Sequence, residues 1–290
     1  MILQFFVNAF SLGSFYALIA MGFSLILGVT HAFNLAHGEM VILGGYVAYF
    51  LAKGLNLPLA LILPASMFAM LVLSLCLERL LRTIPNPDEL NTLVVTFGFA
   101  LLLQNCMLMG FSADYRLLGP TANVLNMPGT GLIITETQVL VITISLASTG
   151  VIYTMLRRTF LGKALRATIQ DSEAARLAGI DVRSMHLVAF GVGGLLIGIA
   201  GPLYARTAYL HPFGGIEATL VAVVLTIFAG AGRIRGLLAG GWVLGLVESA
   251  TVLLLGSGWR ELASAVALIV LLVLRPEGLL PAWTRSAVRQ

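Results

Sequence analysis

The stretch FFVNAFSLGSFYALIAMGFSLILG, residues 5–28, contains no charged side chain. As a helix rising 1.5 Å per residue it would be about 36 Å long, enough to cross a hydrocarbon core of about 30 Å. The rest of the chain follows the same pattern. Of 290 residues, 59% are hydrophobic and 10% charged, against roughly 25% charged in soluble domains. A core of this size could not hide so much apolar surface, so a bilayer must act as the solvent. The first basic residue is Lys53. Without a basic flank ahead of it, the first apolar segment reads as a retained span and not a cleaved leader.

Further apolar runs occur at 39–52, 57–78, 92–110, 138–156, 185–205, 217–231, 237–255 and 259–274. The expected fold is all-α: one polytopic transmembrane permease domain over 1–290, with eight or nine spans. The runs 39–52, 217–231 and 259–274 are short for a full crossing, as in the discontinuous helices of transporters. If the loop 157–184 is cytoplasmic, its side of the membrane holds thirteen basic residues, and only Lys53, Arg116, Arg206 and Arg260 lie opposite. That is a strong positive-inside bias. Nine crossings place the N-terminus outside and the C-terminus inside; eight, with one segment re-entrant, move the N-terminus inside. A faint internal echo links His37-Gly38…Gly44-Gly45-Tyr46 with Arg235-Gly236…Gly240-Gly241-Trp242.

The polar stretch Arg157–Arg183 reads as folded. Asp171 or Ser172 is a suitable N-cap, Glu173 favours a first turn, and Gly179 suits a C-terminal stop. These bracket a short helix over 173–178, whose alanines would allow close approach by another protein. The alternative is a surface helix that only closes the loop.

The spacing of Glu173, Ala174, Ala175 and Gly179 resembles the cytoplasmic loop by which permeases of binding-protein-dependent ABC importers dock onto their ATPase. The run Phe33-Asn34-Leu35-Ala36-His37-Gly38-Glu39 resembles a signature of LivH-type branched-chain amino acid permeases. Tyr16 to Gly22, Ala229 to Gly236 and Leu274 to Leu280 are similar to other parts of that family, although Arg233 departs from its glycine-rich pattern. The resemblance covers about Ser14 to Pro281. It implies a permease subunit in a bacterial inner membrane, forming half of a translocation pathway for branched-chain or other polar amino acids, or for urea or short amides. It also implies a coupling helix, a second related permease, two ATP-binding subunits and a periplasmic binding protein. ATP would be bound by the partner subunits, because this chain has no phosphate-binding glycine loop.

Ionisable residues within apolar segments are costly, roughly 2.5–3.5 kcal/mol for Asp, Lys or Arg at a helix centre. Asn34, His37, Gly38 and Glu39 are candidates for the pathway, where free amides at a broken helix could meet a carboxylate; they could equally cap a turn. Glu248 lies in the apolar run Leu244–Leu255 and either attracts a substrate ammonium or bonds across a helix interface. Glycines at four-residue spacing, such as Gly194/Gly198 and Gly241/Gly245, read as close helix packing. The loop 111–137 is the one sizeable outer loop. Cys76 and Cys106 lack metal-like spacing and read as buried thiols. No metal site, cofactor or nucleic-acid partner is expected. His31 and His37 lack the spacing of a zinc pair, and no catalytic set is present. An ion-coupled secondary transporter remains the rival class.

Overall fold

The computed structural model describes residues 2–84, 89–119, 124–127 and 132–259, with 262, 263, 265, 266, 269 and 270. The opening run forms α1 (Ile2–Thr30), followed by α2 (His37–Gly54), α3 (Leu59–Leu81) and α4 (Glu89–Phe111). A small antiparallel hairpin, β1 (Val124–Met127) and β2 (Leu132–Thr135), precedes α5 (Glu136–Arg158). Then come α6 (Phe160–Gln170), α7 (Ser172–Leu177), α8 (Val182–Thr207), α9 (Gly215–Ala229) and α10 (Ile234–Leu255). Six of these helices, α1, α3, α4, α5, α8 and α10, are long and apolar enough to cross a membrane. The expected segment 259–274 lies mostly outside the described residues.

α1 is the central helix: 89% of its apolar window is buried, against 22% for α3 and for α4. The peripheral helices turn apolar side chains outward instead, among them Phe68, Met109 and Leu254, as lipid-facing surfaces do. Cys76 and Cys106 share that outer surface. Both are free and exposed, which corrects the expectation of buried thiols: in a bilayer the apolar side of a peripheral helix faces out.

Six of the described helices form two matching triplets. In the first, α1 ends at His31, whose φ of 57° turns the chain; residues 31–36 run irregularly back into the bundle, and α2 and α3 follow. In the second, α8 leads through residues 208–214 to α9 and α10. The packing is reciprocal. α1 lies on α10 and α9, while α8 lies on α3 and α2. Glycines permit both long contacts: a Cβ on Gly241 or Gly245 would overlap backbone at Gly13 or Ala9, and one on Gly194 or Gly198 would overlap α3 at Ser74 or Met67. α1 and α8 run antiparallel, because Gly193 meets Gly22 and Ile26 while Tyr204 meets Phe15. The two triplets therefore pack in a reciprocal, inverted arrangement, of a kind frequent in transporters. The echo expected from sequence falls on α2 and α10, which are not equivalent in this pairing.

Helix direction defines an α7 end and a hairpin end of the bundle. Ten described basic residues, including Arg82, Arg157, Arg183 and Arg235, lie at the α7 end, and Lys53, Arg116 and Arg206 lie at the other.

Candidate functional site

At the α7 end, α5 stops at Thr159, whose side chain accepts from the Gly162 amide (3.0 Å) and starts α6. Gly162 is required there, since a Cβ would overlap the Leu156 backbone. α6 is not among the helices expected from sequence. Its signal was present in the alternation of Ala164, Leu165 and Thr168, which are buried, with exposed Phe160, Leu161 and Lys163. Asp171 then caps α7, accepting from the amides of Glu173 (3.0 Å) and Ala174 (2.9 Å). Gly179, at φ 84°, closes it. Its amide donates to Arg176 O and that of Ile180 donates to Ala175 O, both at 3.0 Å, the paired bonds of a Schellman stop. Glu173, Ala174 and Gly179 are exposed, and Leu177 is 91% exposed. Ala175 points the other way and is 3% exposed. Ile169 of α6 lies against Gly28 of α1 and Gly232 before α10, and the Gly232 amide donates to Ser24 Oγ (2.9 Å).

The second cluster sits in mid-bundle. Asn34, His37 and Glu39 are each 3% exposed or less. Asn34 Oδ1 accepts from the Ala36 amide (3.1 Å), and His37 Nε2 lies 3.0 Å from Ile19 O. The Gly38 amide donates to Thr219 Oγ1 (2.9 Å), and that hydroxyl donates to Gly215 O (3.0 Å). A Cβ on Gly38 would overlap the Gly215 carbonyl oxygen, and one on Gly215 would overlap the Glu39 carboxyl group. The starts of α2 and α9 thus meet at the centre, with Glu39 at the first turn of both, where a helix N-terminus favours negative charge. Thr96 Oγ1 serves the irregular strand between α1 and α2, accepting from the Leu35 amide (3.3 Å) and donating to Phe33 O (3.2 Å). Backbone polar groups at this depth require such internal partners.

Glu248 stands apart from that cluster. It is 2% exposed, and one carboxylate oxygen accepts from the Tyr16 hydroxyl (2.9 Å). It lines a cavity of about 1070 Å³ at the hairpin end, shared with Arg206 at the end of α8 and with Phe15, Gln138 and Ser249. Asn34, His37, Gly38 and Glu39 are not among the residues lining it. From sequence alone, Arg206 bears only on orientation, and nothing marks Tyr16 as a site residue. A charged residue in the last turn of an apolar helix was the available signal for Arg206. Among the described residues, no group of three or more His, Cys, Asp or Glu side chains could hold a metal ion.

Residues 5–274 match the model of the branched-chain amino acid transport system permease component family. The chain belongs to this family. It is 27% identical to the high-affinity branched-chain amino acid transport system permease protein BraD of Pseudomonas aeruginosa, over 96% of this chain and 95% of that protein. It is 26% identical to the corresponding permease protein LivH of Escherichia coli, over the same shares. A probable LivH of Methanocaldococcus jannaschii is 27% identical over 90% of this chain and 87% of its own. These relatives are transport permeases and not enzymes. Among solved structures, PsaBC from Streptococcus pneumoniae in complex with Fab superposes with a TM-score of 0.53 at 13% identity, covering 94% of this chain and 95% of that one, which supports the fold alone. The permease fold described above is thus that of a multi-pass membrane protein.

Proposed function

We propose that this permease is a subunit of an ATP-driven importer in a bacterial inner membrane and forms half of the pathway for branched-chain or other polar amino acids. A second related permease completes the pathway, two ATP-binding subunits sit beneath, and a periplasmic binding protein delivers substrate. The α7 end faces the cytoplasm, because the basic residues collect there. α2 and α9, about 27 and 22 Å long by helix rise, count as partial crossings beside the six full-length helices among the described residues. The permease itself needs no cofactor.

The observation that carries this reading is α7: a helix fixed at both ends, standing outside the bundle, with Leu177 91% exposed. So short a helix would not hold its shape in water alone, and a capped one with an uncovered leucine suits a docking contact. Glu173, Ala174 and Leu177 meet the ATPase, Ala175 anchors the helix to its own chain, and Gly179 fixes its end. Asn34, His37, Gly38 and Glu39 form the joint where the partial helices meet beside the pathway, and Glu248 faces the pathway.

Proteoliposomes containing the whole transporter test the reading. Leu177→Asp is expected to lower both leucine uptake and binding-protein-stimulated ATP hydrolysis, with normal assembly of the two permeases. Uptake that proceeds without ATP and follows an imposed ion gradient would instead establish a secondary transporter.

A further inference from the structure

We infer that the cavity at the hairpin end recognises an α-amino acid by its two charged ends, with Glu248 receiving the ammonium group and Arg206 the carboxylate. This rests on the import function proposed above and names the chemistry its pathway reads.

Among the described residues lining the cavity, Glu248 is the one acid and Arg206 the one base. They come from different helices, α10 and α8, so the cavity presents opposite charges from separate walls. An acid and a base within apolar helices are kept at a cost, and such residues commonly mark substrate pathways. Tyr16 holds one oxygen of the Glu248 carboxylate at 2.9 Å, fixing its direction. Arg206 lies in the last turn of α8, where the helix dipole favours a cation, and its planar fork suits a carboxylate in two-point contact. Phe5, Leu12, Phe15 and Val141 supply an apolar wall beside these charges, which suits a branched aliphatic side chain.

The size of the cavity agrees with a passing ligand. At about 1070 Å³ it lies at the upper end of small-molecule sites, roughly 300–1,000 Å³. An amino acid would fill only part of it and keep some water. Transport requires binding favourable enough for entry and weak enough for exit. The hairpin end is also the end that faces the binding protein in the proposed orientation.

The experiment uses the purified complex of both permeases and ATP-binding subunits in nanodiscs, without the binding protein. Equilibrium dialysis compares L-leucine with 4-methylpentanoate, which lacks the ammonium group, and 3-methylbutylamine, which lacks the carboxylate. The wild-type complex is expected to prefer L-leucine to each by about tenfold or more. Glu248→Gln should abolish the preference over 4-methylpentanoate and keep that over 3-methylbutylamine; Arg206→Gln should do the reverse. Glu248→Asp and Arg206→Lys keep the charges and should keep both preferences. An equal loss for all three probes would assign the pair a purely structural role and overturn the inference, as would unchanged preferences in both Gln variants. Leucine uptake by the full wild-type transporter separates the two levels: its absence sinks the amino-acid reading itself, whereas uptake with unaffected Gln variants sinks only this site.

Discussion

The Tyr16 hydroxyl donates to Glu248 across 2.9 Å, joining α1 to α10 in the interior of the bundle. A hydrogen bond to a charged group contributes about 1.5–3 kcal/mol. Tyr16→Phe should therefore lower the melting temperature of the detergent-solubilised protein. Ser14→Ala removes the acceptor of a neutral bond from Trp242 Nε1 (3.0 Å) in the same helix pair and should cost less, about 0.5–1.5 kcal/mol. Equal melting of Tyr16→Phe and wild type would show that the contact contributes nothing.

Gly38→Ala places a methyl group onto the Gly215 carbonyl oxygen. Overpacking of this kind costs about 1–3 kcal/mol or more, and the folded yield measured by size-exclusion chromatography should fall. Gly150→Ala is the comparison, since a Cβ there meets open space within α5. It should leave the yield unchanged or raise it, as alanine favours helix by about 1 kcal/mol.

Asp171→Ala removes the acceptor for two amides at the start of α7, a loss of about 1 kcal/mol. Gly179→Ala meets no atom within 4 Å, but its φ of 84° disfavours any side chain, by about 1–2 kcal/mol. Both variants should speed hydrogen exchange over residues 173–178 and leave α1 and α8 protected. Unaltered exchange would mean that α7 is held by something other than its caps.

Cysteine labelling distinguishes the two faces of α7. In a Cys76→Ser, Cys106→Ser background, a water-soluble maleimide should modify Leu177→Cys rapidly and Ala175→Cys slowly, following their 91% and 3% exposure. Addition of the ATP-binding subunits should protect the first site. Equal labelling in the presence and absence of those subunits argues against contact at Leu177.

Asp181 caps α8 outside the membrane-spanning region. The Ser184 hydroxyl, with help from the Arg183 and Ser184 amides and the Arg183 charge, holds its carboxyl below the usual range. A depressed folded value means that the cap's contribution is complete at neutral pH and is lost as pH falls through that depressed value. Ser184→Ala should move this loss to higher pH. Hydrogen exchange in the first turn of α8, measured across the acid range, gives the midpoint.

The long helices were readable because each is an uninterrupted apolar run, and the observed bounds differ from the runs by only a few residues. Likewise Asp171 and Gly179 announce α7, since capping and a left-handed stop depend on local residue types. α6 escaped notice because it is short and carries Gly162, which reads as a bend unless the close approach to Leu156 is known. The hairpin was hidden for a similar reason: two four-residue strands leave little periodicity. Pairing across the bundle is another matter. Nothing near Tyr16 in sequence marks it as the partner of Glu248, and Gly38 gives no sign of Gly215, because those contacts exist only after the helices assemble. The inverted triplets were invisible because helix packing is set by where small residues fall, as Gly13, Gly194 and Gly241 show, and not by repeated sequence.

The contact of Gly38 with Gly215 also has a mechanical consequence. Where α2 and α9 meet, the Gly38 backbone sits directly on the Gly215 carbonyl, with the short Thr219 hydroxyl and the Glu39 carboxyl group packed against the two glycines, so the joint has little room to compress. A push on either partial helix therefore meets the other without an intervening gap, so close packing favours a stiff link over a spring at the centre of the permease.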